Sequence, residues 1–187
     1  MDLDDLLPNA HYVTRQSRWI DAPPDVVWEE LHAVRLSGLP VTVVLSAARF
    51  LPVLLSGSGL RQLRDRPFLE ALPVPLLSSE EPESVVFGGA LQAWRLRGGE
   101  EAPSLDAEEL QRWIQPGWVK AVMDFRLTPS RRGTELSSET RVLATDPTTR
   151  SRFSWYWMFV RPGSTAIRWE VLTAVQLRAE ARSRAVA

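Results

Sequence analysis

Residues 134–147, Thr134-Glu135-Leu136-Ser137-Ser138-Glu139-Thr140-Arg141-Val142-Leu143-Ala144-Thr145-Asp146-Pro147, decide the fold. In an extended chain Leu136, Ser138, Thr140 and Val142 share one face, and Glu135, Ser137, Glu139 and Arg141 share the other, so the stretch reads as a β-strand. It runs into Asp146, whose carboxylate suits the free N–H groups of a helix start, and Pro147, which suits the first helical position. Beyond it Phe153, Tyr156, Trp157, Val160, Ile167 and Val171 recur at helical spacing. The helix is expected to continue to about Arg182, with a kink or break at Pro162-Gly163-Ser164. The expected fold class is α+β: a curved antiparallel sheet wrapped around a long C-terminal helix, with two shorter helices after the first strand.

Working outward, Trp118–Leu127 reads as the partner strand, entered through Pro116-Gly117 and left through Ser130-Arg131-Arg132-Gly133. Gly88-Gly89 between Ser84–Phe87 and Leu91–Arg97 is a hairpin signal. Leu76–Glu80 suits a short strand, and Ala107–Ile114 a short helix. Near the start, Tyr12–Ile20 alternates β-branched or aromatic with polar residues, and Asp21-Ala22-Pro23-Pro24-Asp25 stops that strand and opens a helix. Ser37-Gly38 closes the helix, and Leu39–Leu55, apolar nearly all round, reads as a second, buried one. The chain is expected to be a single domain over 1–187, with residues 1–10 as an N-terminal extension and 56–82 as an irregular insertion.

Composition narrows the function classes. A hydrophobic fraction of 44% in 187 residues supports a sizeable core. A formal charge of −1 leaves no excess of cations to neutralise phosphates, so no nucleic-acid partner is expected. Without cysteine there is no disulfide, thiolate nucleophile or zinc ribbon. The opening Met1-Asp2-Leu3-Asp4-Asp5 is acidic where a signal peptide would be basic. Pro40, Arg49 and Pro52 break the most apolar run, which falls short of the ~20 residues a span requires. A cytoplasmic protein without stable membrane insertion is the expectation, as monomer or homodimer.

This order of elements resembles the START/Bet v 1-like superfamily, also called SRPBCC or polyketide cyclase-like proteins. The opening RWIDAPPDVVWEEL is similar to that superfamily's first strand and A-P-x-x-V-W helix start. FGGALQAWR, QPGWVKAVMDFRL, SSETRVLATD and RFSWYWMFVRPGSTAIRWEVL resemble an uncharacterised bacterial branch with a Thr-Glu-Thr-Arg-Val strand motif. Here Ser138-Glu139-Thr140-Arg141-Val142 stands in its place. The resemblance covers about Tyr12 to Glu180 and is weakest across Ser56–Pro82. It implies a helix-grip fold with an apolar cavity between sheet and helix.

Alternation puts Val119, Ala121, Met123, Phe125 and Leu127 on the helix-facing side of their strand, with Ser138 and Thr140 beside them on the next. Small polar groups in an otherwise apolar concavity suit a ligand pocket, although they would equally make room for Tyr156 and Trp157. Trp94, Met123, Phe125, Ser138, Thr140, Tyr156, Trp157, Val160 and Ile167 are the candidate lining of a site for a small hydrophobic ligand. Glu139 and Arg141 fall on the opposite face with Asp124 and Arg126, where a solvated charge ladder is expected. His11 and His32, the only histidines, belong to no HExxH motif or triad, and Gly57-Ser58-Gly59 lacks the Gly-Lys-Ser/Thr of a phosphate loop. Neither catalytic residues, metal nor cofactor can be assigned.

Three readings follow. The chain binds or carries a lipid, polyketide or aromatic metabolite; it is a cyclase- or dehydratase-type enzyme with Tyr156 or a pocket carboxylate as acid or base; or it is a partner-binding module whose cavity is filled by its own tryptophans. Carboxylates that point away from the pocket weigh against the enzyme.

Overall fold

In the computed structural model, which describes residues 1–45, 65–95 and 101–186, the deciding stretch is strand β5 (Gly133–Ala144). Before it come helix α1 (Leu3–Leu6), β1 (Tyr12–Ile20), α2 (Pro24–Ala33), β2 (Leu76–Glu80), β3 (Ser84–Leu91), α3 (Ala107–Arg112) and β4 (Val119–Ser130). After it comes α4 (Pro147–Val186), 40 residues long. The strands form one antiparallel open sheet in the order β1-β5-β4-β3-β2, with the long C-terminal helix packed against it. This is the helix-grip arrangement.

Local chemistry accounts for the boundaries. Asp146 Oδ1 accepts the Thr149 N–H at 2.9 Å, supplying one donor at the start of α4 with its missing partner. Asp106 and Glu109 form a reciprocal capping box on α3, with N–H···O distances of 2.8 and 2.9 Å. Pro24 starts α2, which ends at Ala33, and Leu36–Gly38 add a separate 3-10 turn. Of the apolar run 39–55, residues 40–45 are helical and the rest lies outside the described residues, as does Gly57-Ser58-Gly59.

Two expectations are corrected. No hairpin forms at Gly88-Gly89: β3 passes straight through, with Gly88 opposite Val122 and Gly89 opposite Ala121. A Cβ on Gly88 would come within 2.7 Å of Leu77 Cδ1 and 2.8 Å of Val122 Cγ1, so glycine serves close packing there rather than a turn. Nor does α4 break at Pro162. Proline removes one i→i−4 bond, but Pro162 and Met158, whose carbonyl loses its donor, are both exposed.

The described residues divide into two compact units. The first draws on Met1–Gln16, Val74–Arg126 and Ser137–Pro162, the second on Ser17–Pro73, Leu127–Leu136 and the rest of α4. In the second unit Ile20, Val27, Leu31, Leu127, Leu136, Val171 and Val175 are buried, each worth about 1.5–3 kcal/mol if fully removed from water. Glu30 on α2 takes Arg178 Nε at 2.7 Å, and Glu29 takes Arg182 Nη2 at 2.6 Å. Glu170 accepts from Thr42 through its N–H at 2.8 Å and its hydroxyl at 2.7 Å.

Among the described residues the first unit contains two clusters of buried apolar side chains. One joins Leu3, Leu6 and Leu7 with Val86, Ala90, Leu110, Trp118 and Val122. The other joins Val119, Val142 and Ala144 with Phe153 of α4. Alternation on β4 explains the pair: Trp118 and Val122 point to one face and Val119 to the other, and both faces are covered.

Candidate functional site

On the helix-facing side of the first unit an aromatic cluster surrounds Phe153, which is buried. Its ring lies 5.7 Å from Trp157, 5.5 Å from Tyr156, 5.2 Å from Tyr12 and 6.3 Å from Trp94, centroid to centroid. The Trp157 pair is stacked and the Tyr12 and Trp94 pairs are edge-on, the geometries that ring quadrupoles favour. Leu91 and Ala121 pack on the same cluster.

Exposure varies along the inward faces of β4 and β5. On β4 the inward residues run Val119 buried, Ala121 and Met123 half-buried, Phe125 buried. On β5 they run Ser138 buried, Thr140 half-buried, Val142 buried. The half-buried positions are thus flanked on each strand by buried inward residues. Between and beyond them the opposite face is dry: Lys120 and Asp124 are each 5% exposed and Val122 is 1% exposed. Lys120, Val122 and Asp124 on the opposite face of β4 are thus less exposed than Ala121 and Met123.

Of the nine expected lining residues, Trp94, Tyr156 and Trp157 meet in the aromatic cluster, and Met123, Thr140 and Val160 are half-buried in the same unit. Phe125 and Ser138 are fully buried. The Ser138 hydroxyl has no hydrogen-bond partner. Ile167 is half-buried and belongs to the second unit. Sequence reasoning did not assign Tyr12, Ala121 and Phe153 to the site. The alternation of β1, which turns Tyr12, Thr14, Gln16 and Arg18 inward, held the signal for the first of them.

The charged residues of the other face depart from the expected solvated ladder. Arg141 Nε donates to Glu139 Oε1 at 2.5 Å and its Nη1 to Asp4 Oδ1 at 2.5 Å, tying β5 to α1. The Glu139 and Arg141 side chains are only 15% and 12% exposed. Asp124 accepts the Glu139 N–H at 2.9 Å and lies 3.6 Å from Arg126 Nε; burial raises its pKa above the ordinary carboxylate value. Lys120, the sole lysine, donates from Nζ to the Gln111 carbonyl at 2.9 Å, and burial lowers its pKa. The physical reason is cover, since α1 and α3 lie over this face.

Both histidines are engaged locally. His11 Nδ1 accepts the Ala144 N–H at 3.1 Å, and burial lowers its pKa. His32 Nδ1 lies 2.9 Å from the Trp28 carbonyl. Among the described residues no group of three or more His, Asp or Glu side chains is placed to hold a metal ion, and no helix is long and apolar enough to cross a membrane.

Comparison with known proteins gives likeness of structure only. No protein-family model and no curated protein matches the chain. Among solved structures it is similar to protein MLL2253 from Mesorhizobium loti, at 13% identity over 88% of this chain and 96% of that one, with a TM-score of 0.39. It is also similar to the di-domain aromatase/cyclase StfQ of the steffimycin biosynthetic pathway, at 12% identity over 91% and 52%, TM-score 0.36. The Zhui aromatase/cyclase from Streptomyces sp. R1128 matches at 14% over 94% and 98%, TM-score 0.32. Likenesses of this size say nothing about what this chain binds.

Proposed function

We propose that the helix-facing hollow of the first unit binds a small hydrophobic molecule, and that the chain is a START/Bet v 1-like binder or carrier. The observation that carries this reading is the half-buried trio Ala121, Met123 and Thr140 on the helix-facing side of β4 and β5, in the unit where Ala121 packs on the same cluster as the rings of Tyr12, Trp94, Tyr156 and Trp157. Ser138 adds to it. A buried hydroxyl without a partner costs about 1–3 kcal/mol, and a carbonyl or hydroxyl on a guest that reached it would recover that loss. The polar groups of the candidate lining are hydroxyls and indole N–H groups, and none carries a charge. The guest is therefore an uncharged lipid, polyketide or aromatic metabolite rather than an anion. Asp124 and Glu139 are held on the opposite face, which favours binding over carboxylate acid–base chemistry.

Native mass spectrometry of the purified protein, followed by titration with a fluorescent apolar probe, tests the reading. A retained apolar mass, or saturable one-to-one probe binding that alters tryptophan emission, is expected. Failure of every apolar probe to bind a ligand-free sample overturns it in favour of a filled core.

A further inference from the structure

The outward side of the same half-helix carries a second feature that does not depend on the hollow. Trp155, Met158 and Phe159 stand at i, i+3 and i+4 on α4 and are 68%, 55% and 74% exposed. Three large apolar side chains side by side form a patch of the kind that marks an interaction surface. Their setting is basic. Residues 147–162 contain Arg150, Arg152 and Arg161 and no Asp or Glu. Arg152 lies one turn before Trp155 and two turns before Phe159, and Arg161 one turn after Met158; both are exposed. Among the described residues neither forms an ion pair.

We propose that this face of α4 docks on an anionic phospholipid surface. Trp155, Met158 and Phe159 enter the boundary between headgroups and acyl chains, and Arg152 and Arg161 lie among the phosphates. Charge weighs against a second copy of this chain, because a two-fold contact through the stripe sets arginine against arginine with no acid within residues 147–162 of either copy. Shape favours lipid over an acidic protein. A helix surface is convex, and a fluid surface accommodates exposed side chains on it without a matching groove. Docking is peripheral, since no described helix can span a bilayer.

Co-sedimentation with vesicles of phosphatidylcholine, with and without phosphatidylglycerol, provides the test. Binding is expected to the mixed vesicles only, to weaken with added salt, and to shift tryptophan emission to the blue. The double variant Trp155→Ala/Phe159→Ala should lose about tenfold or more in binding, as removal of two inserted rings does. Arg152→Gln/Arg161→Gln should remove the preference for phosphatidylglycerol. Both variants should fold like the wild type, because the altered side chains are exposed, and circular dichroism checks this. The proposal is overturned if wild type binds neither vesicle, or if the variants bind as wild type does. It is likewise overturned if sedimentation velocity shows a dimer, or a complex with an acidic protein, that the aromatic variant abolishes while vesicle binding is absent.

Discussion

The Asp146 carboxylate joins two segments 29 positions apart in sequence: Oδ2 accepts the Gly117 N–H at 2.7 Å while Oδ1 caps α4 through the Thr149 N–H. One side chain thus fixes both the start of the long helix and the turn that launches β4. The Thr149 hydroxyl donates to Oδ2 as well, and these bonds to Thr149 and Gly117 lower the Asp146 pKa to about 2.

Asp146→Ala should therefore lower the melting temperature by about 2–4 °C, the size of effect a lost helix cap produces in a chain of this length. The sign of the pH dependence follows from the depressed pKa. The contribution of Asp146 is present above the unfolded carboxylate value of 3.8 and is lost as the pH falls towards 2. Acid titrations of wild type and variant should converge across that window, and parallel curves would remove Asp146 from the cap.

Much of this end of the molecule was legible because its signals are local. A capping residue, a proline at the first helical position and strict alternation over Gly133–Ala144 each act within a few residues. The cover on the outer face was not legible. It depends on Leu3-Asp4-Asp5-Leu6, a single helical turn too short for periodicity to register, so Glu139 and Arg141 read as solvated when they are enclosed. Gly88-Gly89 misled for a related reason. Gly88 answers to Leu77 and Val122, which lie on other strands, and not to its own neighbours. In the candidate site the helical spacing of Tyr156 and Trp157 was plain, whereas the partial exposure of Ala121 and Met123 depends on how neighbouring side chains pack.

Arg141→Met tests the cover. It removes both charge-assisted hydrogen bonds, to Asp4 and Glu139, and leaves the half-buried Glu139 carboxylate without its cation. Hydrogen bonds to charged groups are worth about 1.5–3 kcal/mol each, so a loss of roughly 2–3 kcal/mol is expected after allowing for the exposed Asp4. Urea unfolding measures it. Hydrogen exchange should accelerate in α1 before the rest of the chain, and a loss under ~0.5 kcal/mol, the range of ordinary surface changes, would restore the solvated ladder.

Asp124→Asn probes the raised pKa beneath the same cover. Asparagine keeps an acceptor for the Glu139 N–H and removes a charge that burial disfavours. Because the folded pKa is raised, the carboxylate's penalty is greatest above that pKa and is relieved as the pH falls through it. The variant should match or exceed wild-type stability at neutral pH, with the difference shrinking on acidification. A marked loss at neutral pH would show that the Arg126 contact outweighs the cost of burial.

The most direct test of the central claim places a large ring at the half-buried inward positions of β4. Ala121→Trp places an indole where the inner face of β4 is accessible, and Met123→Trp does so with a smaller change in volume. In a chain with room for a guest, both variants keep the wild-type circular dichroism, with a melting temperature within a few degrees, and lose saturable binding of the fluorescent apolar probe. In a chain whose aromatic side chains already fill the space, the same rings overpack the core, typically at about 1–3 kcal/mol, and wild type shows no probe binding to lose. Retained folding with abolished binding is the predicted result; destabilised variants together with a wild type that binds no probe would contradict the account.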